Sequence, residues 1–156
     1  MRIDWIGDCP NCVPVLARWH VAAFADVLAT WTIDEAAFEL RGHVARLAVP
    51  TTLVAFEEDQ LVGSVSLLDS DLPAPDLYAP WLATLFVDPV ARGRGIGAAL
   101  VRRAVSEAQQ LGLPALHLWT PKHADFYARL GWQSLGVECY GGITVTLMRI
   151  DCAAVQ

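Results

Sequence analysis

The residues best suited to chemistry lie between positions 85 and 100. Leu85-Phe86-Val87 closes an apolar, strand-like run at Asp88-Pro89, and Arg92-Gly93-Arg94-Gly95-Ile96-Gly97-Ala98 follows before a helical pattern begins. The start of a helix presents backbone N–H groups with no partner inside the helix, and its dipole favours negative charge. Glycine lets a ligand approach that backbone closely, and Arg92 and Arg94 add charge-assisted donors. Such a loop suits a phosphorylated ligand, although a solvated Gly-rich turn has the same composition. Two phosphate-loop patterns are excluded. A dinucleotide fingerprint needs Gly-x-Gly-x-x-Gly and an acidic residue about 20 positions later. Here the glycines are strictly alternate, and the matching region reads Leu116-His117-Leu118. A nucleotide P-loop ends in Gly-Lys-Ser/Thr, and no such ending is present.

A second stretch, Ala124-Asp125-Phe126-Tyr127-Ala128-Arg129-Leu130-Gly131-Trp132, sets a tyrosine in a short helical segment before a Gly-aromatic pair. The loop Arg92-Gly93-Arg94-Gly95-Ile96-Gly97 resembles the pyrophosphate loop of the GNAT family of N-acetyltransferases, Gln/Arg-x-x-Gly-x-Gly/Ala. The second stretch is similar to that family's Phe-Tyr-x-x-x-Gly-Phe segment. The resemblance covers about residues 50–150.

The resemblance implies acetyl-CoA as the donor, its pyrophosphate held by Arg92, Gly93, Arg94, Gly95, Ile96, Gly97 and Ala98. It implies pairing of the pantetheine arm with the backbone at Phe86 and Val87, where a bulge splays two strands apart. Tyr127 matches the family's general acid. A phenol of reference pKa near ~10 can donate to a departing thiolate of pKa about 8.5. A tyrosine beside Phe126 is also an ordinary packed aromatic. The chain departs from the family pattern twice. Thr120 stands where many members carry a cofactor-contacting Asn, and Trp81-Leu82-Ala83-Thr84-Leu85 lacks the strand Glu that many use as a base. Asp69, Asp71 and Asp76 occupy the preceding loop, where they suit a cationic amine or simply a solvated turn. Trp81, Trp119, Trp132 and Tyr140 suit an aromatic acceptor wall or a core. His117 and His123 are further base candidates. The expected activity is direct transfer of an acetyl group to a primary amine of a small molecule or peptide, with no acyl-enzyme. Two alternatives stand: a CoA-binding sensor or interaction module without turnover, and an acyltransferase that uses a longer donor. The family resemblance also allows a homodimer.

Composition bounds this reading. The 156 residues are 54% hydrophobic and 18% charged, enough for a sizeable core and for one domain spanning 1–156. A net charge of −6 disfavours nucleic acid and mildly favours a cationic partner. No apolar run approaches the ~20 residues of a membrane helix, and Met1-Arg2-Ile3-Asp4-Trp5 lacks a signal peptide's apolar core. A cytoplasmic protein is the expectation. Cys9, Cys12, Cys139 and Cys152 are not spaced for zinc. No metal is expected, and the cysteines read as ordinary reduced thiols.

Hydrophobic periodicity supplies the elements that must position these residues. A strand spans residues 2–6. A helix spans about 13–28, with Leu16, His20, Ala23, Phe24 and Val27 on one face. Thr32-Ile33-Asp34-Glu35 has the form of a capping box, opening a helix that carries Ala36, Phe38, Leu40 and Val44 to about Leu47. Strands at 51–56 and 61–68 form a hairpin across Glu57-Glu58-Asp59-Gln60, and 69–80 is a long loop. A strand at 81–87, a helix at 95–110 capped by Gly112, a strand at 115–120 and a helix at 123–130 follow. Two strands, at 133–140 and 144–150, turn around Gly141-Gly142. Arg102 and Arg103 read as a solvated helix face. The order β-α-α-β-β-β-α-β-α-β-β is an α/β domain around a mixed sheet. The family resemblance implies the same order, with a mostly antiparallel central sheet flanked by helices.

Overall fold

The computed structural model describes residues 1–46, 48–71 and 73–153. Its elements in chain order are β1 (Arg2–Trp5), α1 (Cys12–Ala23), α2 (Ile33–Gly42), β2 (Thr51–Glu57), β3 (Gln60–Leu68) and β4 (Trp81–Val87). They continue with α3 (Ile96–Gln110), β5 (Ala115–Thr120), α4 (Ala124–Arg129), β6 (Gln133–Tyr140) and β7 (Ile143–Asp151). This is the order read from the sequence. A single turn of 3₁₀ helix at Asp76–Tyr78 interrupts the long loop.

One seven-stranded sheet runs β1-β2-β3-β4-β5-β7-β6. Every neighbouring pair is antiparallel except β4 and β5, which are parallel and register at a single pair, Trp81 with His117. The sheet opens beyond that pair. The opening coincides with a bulge: Ser66 faces Ala83 and Ser64 faces Phe86, so Thr84 and Leu85 together oppose Val65. Thr84 takes φ +48°, a conformation rare for a β-branched residue. The β2–β3 hairpin turns through Glu58 and Asp59, both at positive φ, as a two-residue turn matched to strand twist requires.

Each face of the sheet is covered differently. α3 buries Ile96, Leu100, Val101, Ala104 and Ala108 against one face, in a core shared with Leu53, Val65, Leu67, Leu82, Leu116, Tyr127 and Trp132. α1 and α2 cover half of the other face with Leu16, Ala17, Ala36, Ala37 and Leu40, packed on Val54 and Phe56. The loop before β4 covers the remaining half, where Ala74 and Trp81 meet Tyr140, Val145 and Leu147.

Both N-terminal helices stop short of their expected ends. Phe24 leaves helical geometry (φ −108°, ψ 14°) and terminates α1, after which Val27 and Leu28 close turns back onto the Phe24 carbonyl. α2 has the full capping box between Thr32 and Glu35 but ends at Gly42, and Val44 forms a bridge with Thr51 instead. Leu47 lies outside the described residues. Phe38, expected on the buried face, is 76% exposed, because α2 docks through its small Ala36–Ala37 side and Leu40.

Two further expectations are corrected. Cys9 and Cys12 are joined in a disulfide rather than free. The turn into α1 has the Cys12 N–H donating to the Cys9 carbonyl and sets their Cα atoms 5.6 Å apart, within bonding reach. Arg103 is not a solvated residue: it pairs with buried Glu107 at 3.0 Å, donates to the Ile3 carbonyl and lies over the Trp5 ring. It thereby ties α3 to β1.

Gly63 sits where α3, β3 and β4 meet. A Cβ there would lie 2.7 Å from the Phe86 carbonyl oxygen and 3.2 Å from Leu100 Cδ1. Gly63→Ala must push β4 off β3 beside the bulge, and a loss of about 1–3 kcal/mol is expected, measured by urea denaturation.

Candidate active site

The bulge and the splay leave a cleft of about 520 Å³ between the separated strands. Its floor is Leu85, Phe86 and Val87 of β4. One wall is the loop into α3, and the other is His123, Phe126 and Tyr127 at α4, with Ala23 and Phe24 at the end of α1 closing the rim. Arg92, Gly93, Gly95, Ile96, Gly97 and Ala98 all line this cleft.

The loop is shaped to receive an anion. Gly93 and Gly95 both hold left-handed conformations (φ +81° and +80°), and nothing lies within 4 Å of the point where either would carry a Cβ. Gly95 is the N-cap of α3 and supplies no side-chain cap. The N–H groups of Ile96, Gly97 and Ala98 therefore face the cleft side without intrahelical partners, and the first helical bond runs from Ala99 N–H to the Gly95 carbonyl. A fifteen-residue helix adds its dipole. The two arginines part company. Arg92 donates from Nε to the Val87 carbonyl at 2.9 Å and lies over the Phe86 ring, which keeps its guanidinium at the rim. Arg94 turns out of the cleft to pair with Glu57 at 2.8 Å.

Tyr127 stands on the opposite wall, 8% exposed and packed edge-on against Phe126 and Trp132. Burial pushes its phenol well above the ordinary tyrosine value, so it carries its proton at neutral pH. Thr120 is not brought to the cleft. It is buried at the end of β5, and its Oγ1 accepts from the His123 N–H at 3.0 Å, holding the turn into α4 that presents His123 and Tyr127.

The other sequence-derived candidates gather on the opposite side of the opening. Trp81 is fully buried, and Tyr140 nearly so, so the aromatic residues here form a packed layer rather than an open wall. Tyr78 packs on Trp81 and on His117, and Trp119 packs on Tyr140. The long loop rests on the β6–β7 turn, where a Cβ on Gly141 would meet Pro73 at 2.8 Å. Asp71 lies half-buried beside Trp119. Burial pushes its carboxyl up to about 7; the Trp119 indole opposes the shift and the charge of Glu39 adds to it. The indole Nε1 makes no hydrogen bond of ordinary geometry. Asp69 is exposed. Burial lowers the His117 pKa, with the charge of Arg149 acting in the same direction. Among the described residues, no group of His, Cys, Asp and Glu is placed to hold a metal ion.

Residues 29–134 match the family described as "Acetyltransferase (GNAT) domain", more than half of the chain and all of the cleft except Ala23 and Phe24 at its rim. The chain belongs to the GNAT acetyltransferase family. It is 42% identical over 53 residues to an uncharacterized N-acetyltransferase of Methanocaldococcus jannaschii, a match covering 31% of this chain and 24% of that relative's length. Solved structures resemble it along nearly their whole length. An aminoglycoside 6'-acetyltransferase type Ii superposes with TM-score 0.76 at 19% identity, covering 100% of both chains. A Salmonella typhimurium protein solved with its cofactor acetyl-CoA gives 0.75 at 16% identity, covering 100% of this chain and 96% of the other. Ribosomal-protein-alanine N-acetyltransferase of Brucella melitensis gives 0.74 at 20% identity, covering 97% and 99%. At these identities the likeness is one of fold.

This GNAT domain also carries polar groups that the motifs do not reveal. On the α1–α2 face, His20 Nε2 and Ser64 Oγ lie 2.8 Å apart, with Phe24, Trp31 and Phe86 around the imidazole. On the same face, His43 Nδ1 meets Thr52 Oγ1 at 3.0 Å, Thr52 meets Ser66 at 2.8 Å, and Thr84 donates to Ser66 at 2.8 Å. Their only sequence signal is small polar residues at alternate positions in otherwise apolar strands.

Burial drives the His20 pKa down to about 4, with the charge of His43 adding to the shift. Above the ordinary histidine value near ~6.5, folded and unfolded chains both hold His20 neutral. As pH falls from there toward 4, the unfolded chain takes up a proton that the folded chain refuses, so stability declines. His20→Gln should flatten this decline in urea midpoints measured across that range; an unchanged slope would show that His20 does not carry it.

Proposed function

We propose that the chain transfers an acetyl group from acetyl-CoA directly to a primary amine of a small molecule or peptide. The observation that carries this reading is the cleft itself. The amide cradle at the start of α3 and a protonated Tyr127 face each other across a sheet split open at the bulge. The donor supplies a thioester and a pyrophosphate. The free N–H groups of Ile96, Gly97 and Ala98, with Arg92, suit the pyrophosphate. In the reaction, the ammonium first loses one proton to solvent; the neutral amine then forms a bond to the thioester carbonyl carbon and gives up a second N–H proton, the C–S bond breaks, and Tyr127 gives its proton to the departing sulfur and regains one from solvent. Asp69 and Asp71, in a chain of net charge −6, favour an acceptor that is cationic before attack. Edge strand β6 leaves Leu135 and Val137 exposed, which supports a homodimer. A second reading, CoA binding without turnover, is favoured by Thr120 lying off the cleft and by the absence of a carboxylate on β4.

Thiol release from acetyl-CoA, measured against polyamines, aminoglycosides, amino acids and peptides, separates the two. Turnover is expected with one amine class. Tyr127→Phe should lower kcat by roughly 10²-fold, with acetyl-CoA affinity by calorimetry unchanged. Tight acetyl-CoA binding with no turnover on any amine would instead select the second reading.

Asp71 gives an independent check. Its carboxyl ionises around pH 7, so KM for a cationic amine should fall as pH rises from 6 to 8. Asp71→Asn should remove that part of the dependence. An identical KM profile in the variant would exclude Asp71 from acceptor binding.

A further inference from the structure

Direct attack requires the amine to lose a proton, and β4 offers no carboxylate to take it. The four-residue polar chain described above runs from the β4 bulge, beside the cleft floor, to the half-buried His43. Thr84 is the first residue of the bulge, three residues beyond the only β4–β5 pair and adjacent to Leu85 on the cleft floor. Its side chain lies on the face that also holds the acceptor-side loop and donates to Ser66. Ser66 and Thr52 are wholly buried, which seals the path from water. At the far end, His43 is half-buried; burial lowers its pKa, and the charge of Asp69 opposes that shift.

We propose that the hydroxyls of Thr84, Ser66 and Thr52 form a proton relay that carries the proton of the attacking amine to Nδ1 of His43. The proposal rests on the acetyl-transfer reading above and supplies a base in place of the carboxylate that β4 lacks. Every link can be oriented the same way: Thr84 donates to Ser66, Ser66 to Thr52, and Thr52 to His43 Nδ1. As the N–C bond to the acetyl carbon forms, the amine N–H passes its proton to Thr84 Oγ1. Thr84 passes its own to Ser66, Ser66 to Thr52, and Thr52 to the imidazole. Each hydroxyl ends neutral, and the one positive charge leaves the cleft as imidazolium, which releases it to solvent from the half-buried ring. The strained φ of Thr84 fits this role, since the bulge that opens the cleft also turns the hydroxyl toward Ser66. His20 and Ser64 form a separate pair and serve as the control.

The test uses the full chain and the amine that turns over best in the panel above. Thr52→Val keeps the volume and removes the central hydroxyl, Thr52→Ser restores it, His43→Gln cuts the terminus, and Ser64→Ala removes a buried hydroxyl outside the relay. Thr52→Val and His43→Gln should each lower kcat at least ~10-fold, with acetyl-CoA affinity and amine KM unchanged. Thr52→Ser should regain most of the rate, and Ser64→Ala should keep it. In mixtures of light and heavy water, wild-type kcat should fall along a curve, as several protons move together, and Thr52→Val should straighten it. Wild-type kcat in Thr52→Val, or an equal loss in Ser64→Ala, would overturn the relay while the acetyl-transfer reading stands. Should Thr52→Val fail to fold, His43→Gln at the half-buried end of the relay decides the same question. Acetyl-CoA binding without turnover in the wild type would overturn the acetyl-transfer reading, and the relay with it.

Discussion

The arrangement of this protein turns on how little β4 and β5 share. Two parallel strands at the centre of a sheet ordinarily hydrogen-bond along their length, since unpaired backbone groups in an apolar interior are costly. Here they meet at Trp81 and His117 and then part. The cost of parting is offset in three ways. The bulge at Thr84 and Leu85 rotates β4 away while β3 keeps it paired. Arg92 satisfies the Val87 carbonyl from the side. α3 and α4 close over the gap, bringing Ile96, Phe126 and Tyr127 against the strands. The gap is therefore a built feature of the core.

The site inherits its electrostatics from that gap. At the α3 end, a helix start with no side-chain cap and two glycines in left-handed geometry leaves N–H groups directed at open space. At the α4 end, burial keeps the Tyr127 proton in place. One end favours an anion and the other can give up a proton. On the far face lie half-buried Asp71 and exposed Asp69. These three segments lie far apart in the chain, and the sheet holds them in register.

The motifs placed most of the cleft, but several residues proved to do other work. Arg94 resembles Arg92 in sequence context, yet its partner is Glu57 on β2. That pairing depends on the β2–β3 hairpin lying beside the loop, which no local pattern reports. Thr120 kept a polar role, but toward the backbone of His123. Trp81 and Tyr140 went to the core because the loop over them folds onto Gly141. Phe38 and Arg103 erred in opposite directions, one exposed and one tied down. Helical periodicity gives the angle of a residue around its own axis; it does not say which neighbour will dock there.

What the sequence by itself determined were properties with a local physical cause. Alternation and periodicity specified the strands and helices and their order, the Thr32–Glu35 box opened α2, and the glycine–arginine loop before an apolar helix marked an anion cradle. The Phe126-Tyr127 segment, through its resemblance, marked the opposite wall. What only the tertiary structure decided were properties of contacts between distant segments. These include the depth of burial that raises Tyr127, lowers His20 and lifts Asp71 toward neutrality, and the line of hydroxyls from Thr84 to His43. They also include the single β4–β5 pair that makes the cleft. Burial and register are set by which surfaces meet, and Thr52, Ser66 and Thr84 become one path only after β2, β3 and β4 pair.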